Sequence, residues 1–307
     1  MYDKIMDEKN PVYRKVLFYM KTSTPNKRYL LPALALTAFS LFSLSGCDLL
    51  QPTSESQGST SHLVDHSESV STVAESEVFE SITQTEIEAL QEQLVATPEV
   101  HSSDWNLILV NQANQLNEDL NFEPYTASSG ETLDARIAQD FEEMIAAGEA
   151  EGLPFIFVSG YRSFAYQEQI YANVYSGHFN NGHSEAEAKE LTEAFIAIPG
   201  TSEHMTGLAA DITDPALYHL ENGLVTEFES TASAQWLYEN AADYGFVLRY
   251  PRGKEGIIDV SYEAWHFRYV GRENAQYMVE NQLVLEEYVA LLQKNEAIRE
   301  QISELSE

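Results

Sequence analysis

The 307-residue sequence contains a single cysteine, Cys47, which excludes an internal disulfide framework and any thiolate metal cluster. Basic residues are also scarce: 17 Lys and Arg face 49 Asp and Glu, for a formal net charge of −32. Seven of the 17 precede Cys47, so the body of the chain carries 10 basic residues against 46 acidic ones. Phosphate backbones are gripped by clusters of Lys and Arg, and this shortage excludes nucleic acid as a partner. The excess of acid reads as a solubilising surface. Long apolar runs are missing except for "YLLPALALTAFSLFSLSGC" at 29–47. A membrane helix needs about 20 consecutive apolar residues, and Pro32 interrupts this run, so no spanning helix is expected. No internal repeat is evident.

Lys21, Lys27 and Arg28 precede that run, which has the charged start, short hydrophobic centre and small-residue end of a secretory signal. Residues 1–46 are therefore read as a signal peptide, with Met20 a plausible true start. "LSGC" at 44–47 resembles a bacterial lipobox, which implies a lipidated Cys47 as the mature N-terminus and as the membrane anchor. Residues 47–103 are rich in Ser, Thr, Glu and Gln, and no Lys or Arg occurs between Arg28 and Arg136. Such a composition buries too little apolar surface to offset its ordering entropy, so an acidic disordered linker is expected there. Within it, "ESITQTEIEALQEQLV" is a candidate for a short helix.

A folded domain is expected over 104–272, followed by a C-terminal helical extension at 273–307. "WNLILVNQANQL" opens with a strand-like apolar run, "LDARIAQDFEEMIAAGEAEG" has helical spacing up to Gly152, and "PFIFVSG" predicts a short buried strand. "SFAYQEQIYANVY" and "SEAEAKELTEAFIA" predict helices, the second with Ser184 and Glu187 as a capping box. "SAQWLYENAADYG" predicts a helix that stops at Gly245, and "FVLRYP" and "AWHFRYVG" predict strands. Helices and short strands mix without regular alternation, which favours an α+β fold. His178, His183 and His219 lie among Gly, Asn and turn residues and are expected at the solvated surface, with "YSGHFNNGH" a candidate flap.

In "PGTSEHMTGLAADI" His204 and Asp211 stand seven apart, where a loop gives way to a strand. A catalytic zinc takes three nitrogen or oxygen ligands and keeps a fourth position open, so two imidazoles and one carboxylate suffice without thiolate. His266 in "YEAWHFRYVG" supplies a candidate third ligand. Glu263, three residues before it, is a candidate base for the water that such a metal activates.

At these residues the sequence resembles the zinc D-alanyl-D-alanine carboxypeptidase and L,D-carboxypeptidase group of peptidoglycan peptidases, VanY type. "SEHMTGLAADI" is similar to the family's Ser-x-His-x6-Asp element, "EAWH" to its Glu-x-x-His element, and "SGYRSFAYQEQIY" to a third that brings Arg and Gln to the site. The resemblance implies a small antiparallel sheet with flanking helices and one zinc ion on His204, Asp211 and His266. It further implies Glu263 as catalytic base for zinc-bound water. Arg162 and Gln167 would meet the substrate's terminal carboxylate or the developing oxyanion, and Ser202 and Trp265 would line the substrate pocket. The implied activity removes a C-terminal D-alanine from peptidoglycan stem peptides, D,D or L,D, by a monomeric lipoprotein at the outer face of the bacterial cytoplasmic membrane. A D-Ala-D-Ala dipeptidase and a non-catalytic peptidoglycan-binding lipoprotein are the alternatives.

Overall fold

A computed structural model describes residues 83–220 and 223–307. The signal peptide, Cys47 and most of the expected linker lie outside the described residues. Residues 90–307 belong to one compact unit. Of the segment proposed as a short helix, 83–91 are helical.

Within the unit a hairpin of β1 (Pro124–Thr126) and β2 (Thr132–Asp134) leads into α1 (Ala138–Ala150) and β3 (Ile156–Ser159). Two helices follow, α2 (Phe164–Asn180) and α3 (Glu185–Glu193), then β4 (Ala209–Thr213), α4 (Ala232–Asn240) and β5 (Phe246–Leu248). A single turn, α5 (Glu255–Ile258), precedes β6 (His266–Tyr269), and α6 (Arg272–Glu280) and α7 (Leu285–Ser306) complete the chain. Strands pair in the order β3-β4-β6-β5, antiparallel throughout. This is the α+β class that the sequence pattern predicts, with the small antiparallel sheet and flanking helices that the family resemblance implies.

Every residue of the central strands β4 and β6 is buried, so both sheet faces are covered. Side chains alternate between faces along a strand, and here the alternation separates packing from chemistry. Ala210, Ile212, Phe246, Phe267 and Tyr269 join the main core with Phe141 and Met144 of α1 and Trp236 and Leu237 of α4. On the other face Val247 packs with Leu107, Met278 of α6 and Leu285, Tyr288 and Leu292 of α7. Asp211, His266 and Arg268 alternate onto that second face.

Local rules account for the boundaries. Ser184 and Glu187 form the expected capping box on α3, and Gly245, at φ 85°, ends the turn after α4 in the left-handed conformation that glycine tolerates best. Three expectations are corrected. "WNLILV" is not a strand: Trp105–Leu107 form a 3-10 turn whose Leu107 alone is fully buried, so the apolar run anchors a loop. The final helical stretch is two helices, broken where Gln282 takes a positive φ of 55°. His178 is buried, not solvated, because α2 continues through Asn180 and turns its ring towards His183.

Candidate active site

The register of the two central strands sets Asp211 directly opposite His266. Cross-strand partners on one face stand about 5 Å apart at Cβ, so neither side chain has to reach for the other. His204 arrives from the short 3-10 turn Glu203–Thr206, closed by Gly207 at φ 73°. Its Nδ1 donates to the carbonyl of Gly160 at 2.7 Å, which fixes the ring. Gly160 is required there, because a Cβ would sit 2.2 Å from the backbone oxygen of Thr132. One nitrogen or oxygen from each of His204, Asp211 and His266 lies within 4.8 Å of the others, and all three residues are buried.

The donor set fits a divalent cation on its own chemistry. Burial, aided by the charge of Arg162 and opposed by Asp211, pushes His204 down to about 4, so the imidazole is neutral at physiological pH. Its one proton is committed to Gly160, yet the bare Nε2 faces Asp211 Oδ2 at 3.2 Å. Two acceptors in contact without a proton between them are unfavourable unless a cation sits against both. His266 lies between carboxylates. Burial lowers its basicity, but bonds to Asp211 at 3.1 Å and Glu203 at 3.4 Å outweigh that and raise it to about 9. Burial likewise disfavours the Asp211 carboxylate, yet it is held ionised well below the usual range, with the protonated His266 ring donating to it.

The other expected residues gather around this centre. Glu263 Oε2 lies 3.7 Å from His266 Nδ1 and is partly open to solvent, a suitable place for a base that exchanges protons with water. Arg162 leaves β3 by a loop, its backbone N–H donating to the carbonyl of His204 at 3.1 Å. Its Nη1 donates to Gln167 Oε1 at 3.3 Å, while its Nε is buried and has no hydrogen-bond partner among the described residues. Gln167 is fully buried and its amide also donates to the Ala197 carbonyl at 2.8 Å, so it acts through Arg162. Ser202 is buried just before the 3-10 turn, and Trp265 is buried within the main core beside Glu263 and His266.

The sequence reading missed a second layer. Glu203, 1% exposed, touches His266 on one side and Arg249 and Arg268 on the other. Burial disfavours its charge, but the two guanidinium groups prevail and hold it ionised well below the ordinary carboxylate range. Tyr250 lies against the His266 ring at 4.7 Å between centroids. Arginines inside the apolar runs "FVLRYP" and "AWHFRYVG" of an otherwise arginine-poor chain were the available signal, since charges buried with such runs are almost always paired.

A family model described as D-alanyl-D-alanine carboxypeptidase, VanY, matches residues 130–272. A D-alanyl-D-alanine carboxypeptidase of Enterococcus faecalis is 37% identical over 186 residues, 61% of this chain and 66% of that protein. The chain spans about half to two thirds of the length of three of the curated relatives it matches. Among solved structures, the vancomycin resistance D,D-pentapeptidase VanY in complex with Zn(II) is 37% identical with a TM-score of 0.52, covering 61% of this chain and 99% of that one. VanYB in complex with D-Alanine-D-Alanine is also 37% identical, with a TM-score of 0.53, covering 61% of this chain and 98% of that one. With nearly all of the chain in two solved structures covered at this identity, and a candidate metal-binding triad in place, the chain belongs to the VanY family of D-alanyl-D-alanine carboxypeptidases.

Proposed function

We propose that this protein is a zinc-dependent carboxypeptidase that removes the C-terminal D-alanine of peptidoglycan stem peptides, acting first on the D,D bond of a pentapeptide. The observation that carries the proposal is the bare Nε2 of His204 facing Asp211 Oδ2, with His266 Nδ1 on the same carboxylate. His204, Asp211 and His266 hold the zinc. Bound zinc supplies Lewis acidity towards a carbonyl oxygen and makes water a stronger acid at neutral pH.

The chain's own groups do the rest. Glu263, at the open edge of the site, takes a proton from the attacking water and returns it to the leaving amine of D-alanine. Arg162 binds the terminal carboxylate through its unpartnered Nε and its Nη donors, because a planar guanidinium matches a carboxylate with two parallel bonds. Gln167 holds the guanidinium in that orientation. Ser202 offers a hydroxyl to the substrate, and Trp265 forms a wall of the pocket. No covalent acyl-enzyme forms, because no nucleophilic side chain is used.

The folded unit would be carried on the acidic linker that begins at Cys47; the last expected linker residues already belong to that unit, where Val95 bonds Asn295 and Ser102 bonds Glu296 of α7. Removal of the signal at 1–46 and lipidation of Cys47 would tether the protein at the outer face of a bacterial cytoplasmic membrane, where stem peptides are exposed. Among the described residues no helix is long and apolar enough to cross a membrane. The test is incubation of the zinc-loaded full chain with pentapeptide stems, tetrapeptide stems and free D-Ala-D-Ala. Release of D-alanine from the pentapeptide supports the proposal, whereas release from the tetrapeptide alone moves it to the L,D bond. Hydrolysis of free dipeptide alone, or of none of the three, rejects it.

A further inference from the structure

Glu203 and His204 are neighbours in sequence, yet the turn sends their side chains to different partners. Glu203 Oε1 accepts from Arg249 Nε at 2.7 Å and Arg268 Nη1 at 2.8 Å. Its Oε2 is directed at His266 Nε2, 3.4 Å away. Arg249 continues the chain of charges: its Nη1 and Nη2 donate to the two oxygens of Glu286 at 2.8 and 2.6 Å, in the first turn of α7. Arg268 spends its other donors on the carbonyls of Asn106, Ile108 and Tyr269. Two guanidinium groups thus balance two carboxylates, all buried or nearly so.

An ionised carboxylate only accepts hydrogen bonds, so the imidazole must be the donor in its contact with Glu203. That commits the Nε2 proton and leaves Nδ1, beside Asp211 and Glu263, as the nitrogen available to a metal. Partners that fix the tautomer and tilt of a ligating imidazole influence metal affinity nearly as strongly as ligands do. A buried ion pair serving stability alone needs no such aim, since desolvation offsets much of its attraction. Here one oxygen serves both arginines and the other is reserved for the imidazole.

We propose that Glu203 is the positioning residue of His266, accepting its Nε2 proton so that Nδ1 meets the metal, and that Glu286 of α7 reaches the same centre through Arg249. This rests on the zinc reading of His204, Asp211 and His266. The experiment uses the full chain loaded with zinc, read by long-range proton–nitrogen correlation spectra of the histidines and by competition with a chromogenic chelator. The His266 proton is expected on Nε2. Glu203→Gln should weaken zinc binding by about 10- to 100-fold, with kcat falling more than KM changes, and Glu286→Gln should produce a smaller loss of the same kind.

A proton on Nδ1 of zinc-loaded His266 would overturn the proposal. So would a folded Glu203→Gln protein whose zinc affinity is within twofold of the unaltered chain. Should that variant fail to fold, the spectrum of the unaltered protein still decides. Absence of zinc binding to the unaltered chain would instead reject the zinc reading. In that event the metal-free spectrum at alkaline pH tests Glu203 by itself, retention of the Nε2 proton supporting its role and loss refuting it.

Discussion

Truncating Arg162 to alanine tests the assignment of substrate recognition most directly. Among the described residues its Nε is buried without a partner, and Nη1 has a long bond to Gln167 at 3.3 Å. A bound carboxylate would therefore gain two charge-assisted bonds, each worth about 1.5–3 kcal/mol. Allowing for lost independence between the two, Arg162→Ala should reduce kcat/KM by about 3–4 kcal/mol, roughly 10²- to 10³-fold. A loss of that size does not by itself identify the partner, so the peptide is varied too. Amidating the C-terminus removes the charge that the guanidinium is proposed to read. The unaltered enzyme should lose a comparable factor on the amide, whereas Arg162→Ala should lose only a few-fold, a coupling of about 2–3 kcal/mol. Arg162→Lys keeps the charge but not the planar fork and should fall between the two. Zinc content is measured alongside, since Arg162 also helps keep His204 neutral. An amide penalty equal in both proteins would refute carboxylate recognition and reassign Arg162 to the developing oxyanion.

Other outcomes follow from the same geometry. Glu263→Ala should lower kcat by about 10²- to 10⁴-fold while zinc stays bound; parallel loss of metal would make Glu263 a ligand instead of a base. Gly160→Ala forces a Cβ against Thr132 and should cost about 1–3 kcal/mol of stability and weaken zinc binding, because the displaced carbonyl anchors His204; unchanged metal affinity would show that this anchor is dispensable. In chelator the metal-free protein should be most stable near pH 6.5. His204, lowered to about 4, stays neutral in the fold, so its contribution is lost as pH falls from about 6.5 towards 4. His266, raised to about 9, contributes below about 6.5 and loses that contribution as pH rises through 9; a melting temperature still climbing at pH 9 would contradict this. Turnover should survive stoichiometric penicillin, and its loss would point to a nucleophilic serine.

The candidate site was legible in the sequence because its residues lie in short motifs with side chains in fixed local relation. His204 and Asp211 bracket the passage from turn to strand, and Glu263 stands three residues before His266 in the approach to the next strand. Helix starts were readable where side chains cap them, as at Ser184. The network behind the triad was not, since Glu203, Arg249, Arg268 and Glu286 meet only through tertiary packing and follow no local period. Apolar character misled at "WNLILV", where Leu107 plugs a core built by the last two helices. At His178, turn-like Gly and Asn suggested an end to the helix, but an established helix propagates at little cost per residue, and α2 runs past Gly177 to end only at Asn180.

The pairing of Asp211 with His266 across β4 and β6 also makes the ion a judge of strand alignment. Because side chains alternate, sliding β6 by a single position would turn the imidazole into the apolar layer and bring Phe267 towards the acid. Zinc therefore rewards one alignment out of several that backbone bonding alone would permit. Length changes between the two strands can be absorbed by the intervening loops, but a one-residue insertion within either strand forfeits both metal and fold.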